Sequence, residues 1–177
     1  MSTDEGVRVW LRRHGAEQIA HPGGTLYAHL CRVSERLAVL GCGSDVQAAG
    51  LTHAAYGTDG FDVALLDRAD RAVLRDLVGA DAEALVYLYG ACDRSRTWRE
   101  LARTGQVFDR FTGEVSTPEA ARLRSLVDLS IVNELDVMAH DPAVADRHGS
   151  YFRDLFTSWV PLASEQVIGE AQRVLRP

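Results

Sequence analysis

Lysine is absent from this 177-residue chain, whose 19 basic residues are all arginine. The net charge is −6, so acidic residues outnumber basic ones. Proteins that bind nucleic acid without sequence preference need a basic face to neutralise phosphates. Anionic membrane surfaces attract basic segments for the same reason. The acidic balance therefore argues against a nucleic-acid partner and against a membrane partner.

Cysteine is also scarce, and its spacing excludes two common frameworks. Cys31, Cys42 and Cys92 are odd in number, and none forms a CxxC pair. Neither a disulfide scaffold nor a zinc ribbon fits that pattern, whereas buried thiols in a reducing compartment do. The first residues, MSTDEGVRVW, lack the apolar core of a signal peptide. No apolar run approaches the roughly 18 residues that span a bilayer. We therefore expect a cytoplasmic protein.

The familiar catalytic motifs are missing as well. The chain contains no GxGxxG, no P-loop, no HExxH and no GxSxG. Apolar residues make up 46% of it, a share typical of a folded domain with a real core. Functional residues must therefore be sought as polar side chains that fall on apolar faces.

Apolar residues recur with a helical period along nearly the whole chain. Over residues 26–40 leucine and valine repeat at spacings of three and four, with Thr25 as the expected N-cap and Gly41 as the expected C-cap. Alternating residues around a Thr-Gly turn at 106–115 predict a small hairpin. The pattern predicts an all-α bundle of about eight helices with at most one small β-hairpin.

Several helix boundaries can be predicted from individual residues. Ser44 and Gln47 form the pattern of a capping box, and the following small residues predict close approach of another helix. Thr117-Pro118 indicates the start of a long helix that ends near His140. A helix is also expected over 95–104. Pro142 and Gly149 predict a short segment before two final helices.

Three polar side chains fall on apolar faces of three different predicted helices: His29, His53 and Asn133. A buried polar group without a partner costs about 1–3 kcal/mol, so groups of this kind tend to meet. Together they predict a polar site inside the bundle, where helical bundles usually hold a ligand or a metal. A single histidine on an apolar face is more often a hydrogen-bonded core residue, and that interpretation stays open.

The stretch TLYAHLCRVSERLAVLGCGSDVQAAGLTHAAYGTD, residues 25–59, resembles the opening of HD-domain proteins. His29 matches the first histidine of that superfamily, and His53 matches the second. IVNEL, residues 131–135, matches a later helix, with Asn133 in the place of an aspartate. GLTHAAYGT (50–58) and RFTGE (110–114) resemble a divergent HD-like group. The resemblance covers roughly residues 20–140 and implies one HD-like domain over 1–177, with helices 142–176 packed on its core.

HD enzymes are metal-dependent phosphohydrolases, with a branch of diiron oxygenases that includes myo-inositol oxygenase. In both, the aspartate after the second histidine is a metal ligand, but this chain has Ala54 there. The resemblance therefore implies at most a mononuclear centre, in which His29, His53 and Asn133 could hold one iron, manganese or zinc ion. His21 or Asp59 could add a further ligand.

Without a metal, the same residues suit acid–base chemistry. Neutral imidazole is the best general acid or base near pH 7, which gives His53 and His29 that role. Tyr56 could donate a hydrogen bond to a substrate oxygen, and Asp59 could orient a histidine.

Three residues are candidates for substrate binding. Thr58 could donate a hydrogen bond to a substrate, Arg110 could pair with a carboxylate or phosphate, and Asn133 is the third candidate. Each of these polar residues has a structural alternative, as a turn, a cap or a solvated charge.

The sequence thus favours an HD-like enzyme that acts on a small soluble metabolite by hydrolytic or eliminative acid–base chemistry, with metal absent or mononuclear. The first alternative is an HD-fold protein that has lost catalysis and binds a regulatory ligand. The second is a metal-dependent HD phosphohydrolase or iron oxygenase, against which Ala54 argues. A homodimer fits the small-residue helix and the aromatic C-terminal segment.

Overall fold

The protein is described here by a computed structural model that covers residues 3–176. Within that range the chain forms ten α-helices and two small antiparallel strand pairs, which confirms the all-α fold. The backbone falls into two compact units, Met1–Gly90 and Ala91–Pro177. One HD-like domain over 1–177 stays a prediction.

The first unit begins with a helix, a tiny hairpin and a helical pair. Its elements are α1 (Thr3–Arg13), β1 (Ala20–His21), β2 (Gly24–Thr25), α2 (Leu26–Val39), α3 (Ser44–Thr52), α4 (Arg71–Val78) and α5 (Ala80–Ala91), with one 3-10 turn at Arg68–Asp70 before α4. In the hairpin, Ala20 pairs with Thr25 and His21 pairs with Gly24. The sequence indicated only a chain break there.

Helices α2 and α3 pack closely against each other. The apolar stripe of α2 is buried, and the Thr25 side chain caps the helix by accepting from the Ala28 N–H at 3.2 Å. A Cβ added at Gly50 would lie 2.5 Å from Leu37 Cδ1 and 3.3 Å from Ser34 Cα. The close approach predicted from the small residues of α3 is therefore confirmed.

The capping box predicted for α3 is wrong. Gly43 is the N-cap, and no side chain caps the helix there. Ser44 is already a helical residue, so its hydroxyl is in the wrong position for the box. Gln47 instead donates its side-chain Nε2–H to the Cys42 carbonyl at 2.7 Å. The loop before the helix is held by this bond.

The second unit is built around one long helix. Its elements are α6 (Arg94–Thr97), α7 (Leu101–Thr104), β3 (Val107–Phe108), β4 (Val115–Ser116), α8 (Ala120–His140), α9 (Pro142–Ser158) and α10 (Glu165–Val174). The hairpin expected over 106–115 is present as β3 and β4. The helix expected over 95–104 is divided between α6 and α7. Helix α8 starts after Glu119 rather than at Thr117.

Helices α9 and α10 pack against α8. Helix α9 runs without a break through Gly149, because its N-cap Asp141 accepts two backbone hydrogen bonds and its apolar side is buried. The break expected at Gly149 is therefore wrong. At the start of α10, Asp128 of α8 accepts from the backbone N–H of Ser164 at 2.8 Å and from its hydroxyl. This pair connects α8 to α10.

Among residues 3–176, every helix is too short or too polar to cross a lipid bilayer.

Candidate functional site: a pair of facing histidines

The first unit brings His29 and His53 together. His29 lies one turn into α2 on the buried stripe, and its exposed fraction is 0%. His53 is the residue at which α3 ends, and it is 3% exposed. Their Nε2 atoms lie 3.3 Å apart, with the two rings nearly perpendicular at 84°. Two of the three polar side chains that were predicted to meet are therefore in direct contact.

The backbone of α3 fixes the tautomer of His53. Its Nδ1 lies 2.8 Å from the carbonyl oxygen of Gly50. A carbonyl oxygen can only accept, so Nδ1 must carry the hydrogen, and neutral His53 presents a lone pair at Nε2. The facing Nε2 of His29 is then the donor in a favourable contact. The pair is an N–H···N hydrogen bond that joins two helices.

A third histidine covers this pair. The ring of His21, on β1, stacks on His29 with centroids 4.0 Å apart and planes 26° apart. The rings of Phe61 and His21 form a T-shaped contact with centroids 5.2 Å apart. The rings of Tyr89 and His53 form another, with centroids 5.1 Å apart. His21, named from the sequence as an added ligand, is therefore next to the pair as a stacked ring.

Thr58 and Asp59 form a tight turn beside this cluster. Thr58 and Phe61 exchange backbone hydrogen bonds of 3.0 and 2.8 Å, which leaves Asp59 and Gly60 at the tip. Thr58 is buried and Asp59 is half-buried. The turn sets the position of Phe61 against His21. The substrate-binding role of Thr58 and the orienting role of Asp59 stay predictions.

Tyr56 contributes to a buried ion pair. Its hydroxyl donates to Glu83 Oε1 at 2.8 Å, and Arg71 binds both Glu83 oxygens at 2.7 and 2.9 Å. The guanidinium of Arg71 also lies 3.9 Å over the ring of Tyr87. This arrangement connects the segment after α3 to α4 and α5. The Tyr56 hydroxyl thus has a carboxylate partner within the protein.

The pKa values of this network shift for different reasons. Burial raises the pKa of Tyr56, and the adjoining Glu83 carboxylate raises it further. For Glu83, burial favours a higher pKa, but the hydrogen bonds from Arg71 and Tyr56 outweigh burial and lower it. Glu83 is therefore held as a carboxylate.

Sequence reasoning missed Glu83. Its position in the first turn of α5 suits an ordinary exposed acid at a helix N-terminus. The available signal was its spacing, because Glu83 lies three residues before the buried Val86 and so shares its face. A charge on such a face needs a partner.

Asn133 and Arg110 belong to the second unit. Asn133 donates its Nδ2–H to Glu134 Oε1 at 2.9 Å, and Arg94 donates to the same oxygen at 2.9 Å. The Arg110 guanidinium lies 4.7 Å from the Phe111 ring centroid. A site that Asn133 or Arg110 shares with the histidine pair stays a prediction.

The resemblance to HD-domain proteins implies a metal centre at His29 and His53. Two imidazole nitrogens on one tetrahedral zinc ion, each at about 2.0–2.1 Å, would lie about 3.3–3.4 Å apart, so the pair alone has suitable spacing. Ala54 offers only a methyl group. Within residues 3–176, no group of three or more His, Cys, Asp or Glu side chains could hold a metal ion. The donor set does not fit a carboxylate-bridged dinuclear centre.

The comparison with protein families matches residues 10–94 to a domain of unknown function, DUF6817. The matched range nearly coincides with the first unit and contains the whole histidine cluster and Glu83. No curated protein and no solved structure matches the chain. The chain is thus similar, over the unit that carries the facing histidines, to a family whose description assigns no activity.

Proposed function

We propose that this protein is an enzyme that acts on a small soluble metabolite by acid–base chemistry at His29 and His53. The observation that carries the proposal is the 3.3 Å contact between the two Nε2 atoms, with His53 Nδ1 anchored on Gly50. Hydrogen-bonded imidazoles at a fixed distance are well suited to general acid–base catalysis near neutral pH.

The contact provides a path for one proton. If a substrate displaces the His29 N–H from this contact, His53 Nε2 can take up a proton from the substrate. His53 then carries the positive charge, which its Nδ1–H shares with the Gly50 carbonyl dipole. The reverse transfer returns the proton to a leaving group. Proton uptake and proton return of this kind serve a hydrolysis or an elimination.

The neighbours of the pair favour a compact substrate. Tyr89 and Phe61 meet the histidine cluster through ring edges, and aromatic walls suit planar or apolar groups. The charged groups nearest in the network, Glu83 and Arg71, bind each other. We therefore propose a small substrate with a labile proton or an acyl bond. The proposed proton transfers use the two histidines and no metal ion.

The proposal includes an origin for the pair. The matches of His29 and His53 to the two histidines of the HD motif support descent from an HD metal site whose carboxylate is now Ala54. The acidic net charge and the thiol form of the cysteines support a cytoplasmic location.

A second candidate function is a ligand-binding protein that has lost catalysis. It is favoured by the burial of the pair, because His29 and His53 are 0% and 3% exposed. In that case a ligand would bind near the histidines and no bond would be broken. A third candidate, a purely structural pair, is favoured by the same burial.

Turnover assays on matched variants test the enzyme against both alternatives. The purified protein is tested on esters, amides, phosphate esters and substrates of β-elimination, beside His53→Ala, His29→Ala and the exposed-histidine control His140→Ala. We expect turnover of one class that falls at least about 100-fold in both site variants and is unchanged in the control. Turnover retained in His53→Ala, or no turnover in any class, contradicts the enzyme.

A further inference from the structure

We propose that the hairpin 20–25, which carries His21, is a gate that opens to admit ligands to the histidine pair. The proposal rests on the proposed function, since it concerns access to the same site. It starts from the burial of His29 and His53, whose side chains cannot reach an outside molecule in the closed arrangement. Some part of the wall must therefore move.

The walls of the site that lie on α2, α3 and α5 are firmly embedded. His29 belongs to the 14-residue helix α2, and His53 ends α3, which packs tightly on α2 at Gly50. Tyr89, behind His53, lies on the 12-residue helix α5 and is 2% exposed. Movement of any of these side chains away from the pair would disrupt the core of the unit.

The wall formed by His21 is much less embedded. Its hairpin consists of two-residue strands, and Ala20, Gly23 and Gly24 are exposed. Local opening is cheapest in segments with few buried contacts. The stacked ring of His21 covers one face of His29, so moving this hairpin uncovers the pair directly.

An arginine of α2, Arg32, binds the hairpin turn. Arg32 donates to the carbonyl oxygens of Gly23 at 3.3 Å and Pro22 at 3.1 Å. The turn itself depends on Gly23 and Gly24, whose φ angles are +80° and +126°. Arg32 is thus the latch of the gate, the His21 stack is its seal, and the glycine turn allows the hairpin to move.

The stacked ring of His21 also indicates the kind of ligand that can take its place. His21 places one flat five-membered ring in a stack on His29 and in a T-shaped contact with Phe61. A planar unsaturated group of similar size can take this position when His21 leaves. Imidazole itself is the simplest probe of that fit.

Chemical modification measures gate opening without any knowledge of a substrate. Diethyl pyrocarbonate acylates accessible neutral imidazoles, and peptide mass spectrometry gives a rate for each histidine. The exposed His148 serves as an internal reference. In the wild type we expect His29 and His53 to react much more slowly than His148.

Two variants open the gate and one is a matched control. Arg32→Ala removes the latch, and His21→Ala removes the seal. Each variant should accelerate the acylation of His29 and His53 by about tenfold. A factor of this size is expected because each variant loses one charge-assisted hydrogen bond or a comparable contact. Arg36→Ala removes an arginine one turn further along α2 and should leave the rates unchanged. Imidazole should slow acylation of His29 in His21→Ala more than in the wild type.

Three results overturn the gate: wild-type His29 reacting as fast as His148, both opening variants reacting at the wild-type rate, or Arg36→Ala accelerating the reaction as much as Arg32→Ala. The use of two opening variants guards against misfolding of either one. The assay contains no substrate, so the gate can fail while turnover is found, and the enzyme can fail while the gate is found.

Discussion

The Nδ1 atom of His53 lies 2.8 Å from the carbonyl oxygen of Gly50, one turn earlier in the chain. This bond connects two properties of the same glycine. The missing side chain of Gly50 lets α2 approach α3, and its carbonyl fixes the proton of the histidine that faces α2. Helix packing and the protonation pattern of the site thus depend on one residue.

The first prediction concerns the tautomer of His53. Nitrogen-15 NMR of the neutral protein should show a protonated Nδ1 and an unprotonated Nε2 for His53, because the Gly50 carbonyl can only accept. His29 should show a protonated Nε2. An unprotonated Nδ1 in His53 would contradict the hydrogen-bond pattern on which the proposed proton path depends.

The second prediction compares two glycines that lie within helices. Gly50→Ala should lower the free energy of unfolding by about 1–3 kcal/mol, because the new Cβ meets Leu37 and the backbone of Ser34. Gly149→Ala meets no atom within 4 Å and should raise it by about 0.5–1 kcal/mol. Urea unfolding measures both. Equal effects of the two substitutions would be evidence against close packing at Gly50.

The third prediction concerns Glu83. Glu83→Gln should lower the free energy of unfolding at pH 7 by about 2–3 kcal/mol, less than for a fully buried pair because the Arg71 side chain is 33% exposed. Glu35→Gln is the control, because the Glu35 side chain is 65% exposed, and it should cost less than about 1 kcal/mol.

The same network predicts a pH dependence. Because the folded state lowers the pKa of Glu83, its stabilisation is fully present above the ordinary carboxyl value of 4.5 and is lost as pH falls through the lowered value. Below about pH 4.5, the urea midpoint of unfolding should therefore decrease more steeply with falling pH in the wild type than in Glu83→Gln. Parallel pH curves would show that Glu83 keeps its ordinary pKa on folding.

The fourth prediction concerns the second unit. Asp128→Ala removes the buried carboxylate that accepts from Ser164 at the start of α10 and should lower the free energy of unfolding by about 1–3 kcal/mol. The exposed Asp154→Ala is the control and should change it by less than about 0.5 kcal/mol. If Asp128→Ala leaves the free energy of unfolding unchanged, water satisfies the Ser164 N–H in the variant.

Sequence periodicity predicted the part of the site that depends on local order. His29 was located because a polar residue interrupts a regular apolar stripe, and the small residues of α3 indicated the close approach that brings His53 to it. Both inferences use only the helical period and side-chain size, which the sequence states directly.

The parts that sequence reasoning missed depend on contacts between distant segments. Nothing in the spacing of Tyr56 indicates that its hydroxyl meets Glu83, 27 residues later. The continuity of α9 depends on burial of Phe152, Leu155 and Phe156, which outweighs the helix propensity of Gly149. Tertiary packing decided both, and it cannot be seen in a local window.

The most direct test of the central claim is the turnover of wild-type protein and His53→Ala, measured with and without a metal chelator, together with the metal content of both. The account predicts turnover that survives chelation and falls at least about 100-fold in His53→Ala. Near-stoichiometric iron, manganese or zinc that is lost in His53→Ala, with turnover that depends on it, would contradict the metal-free acid–base pair.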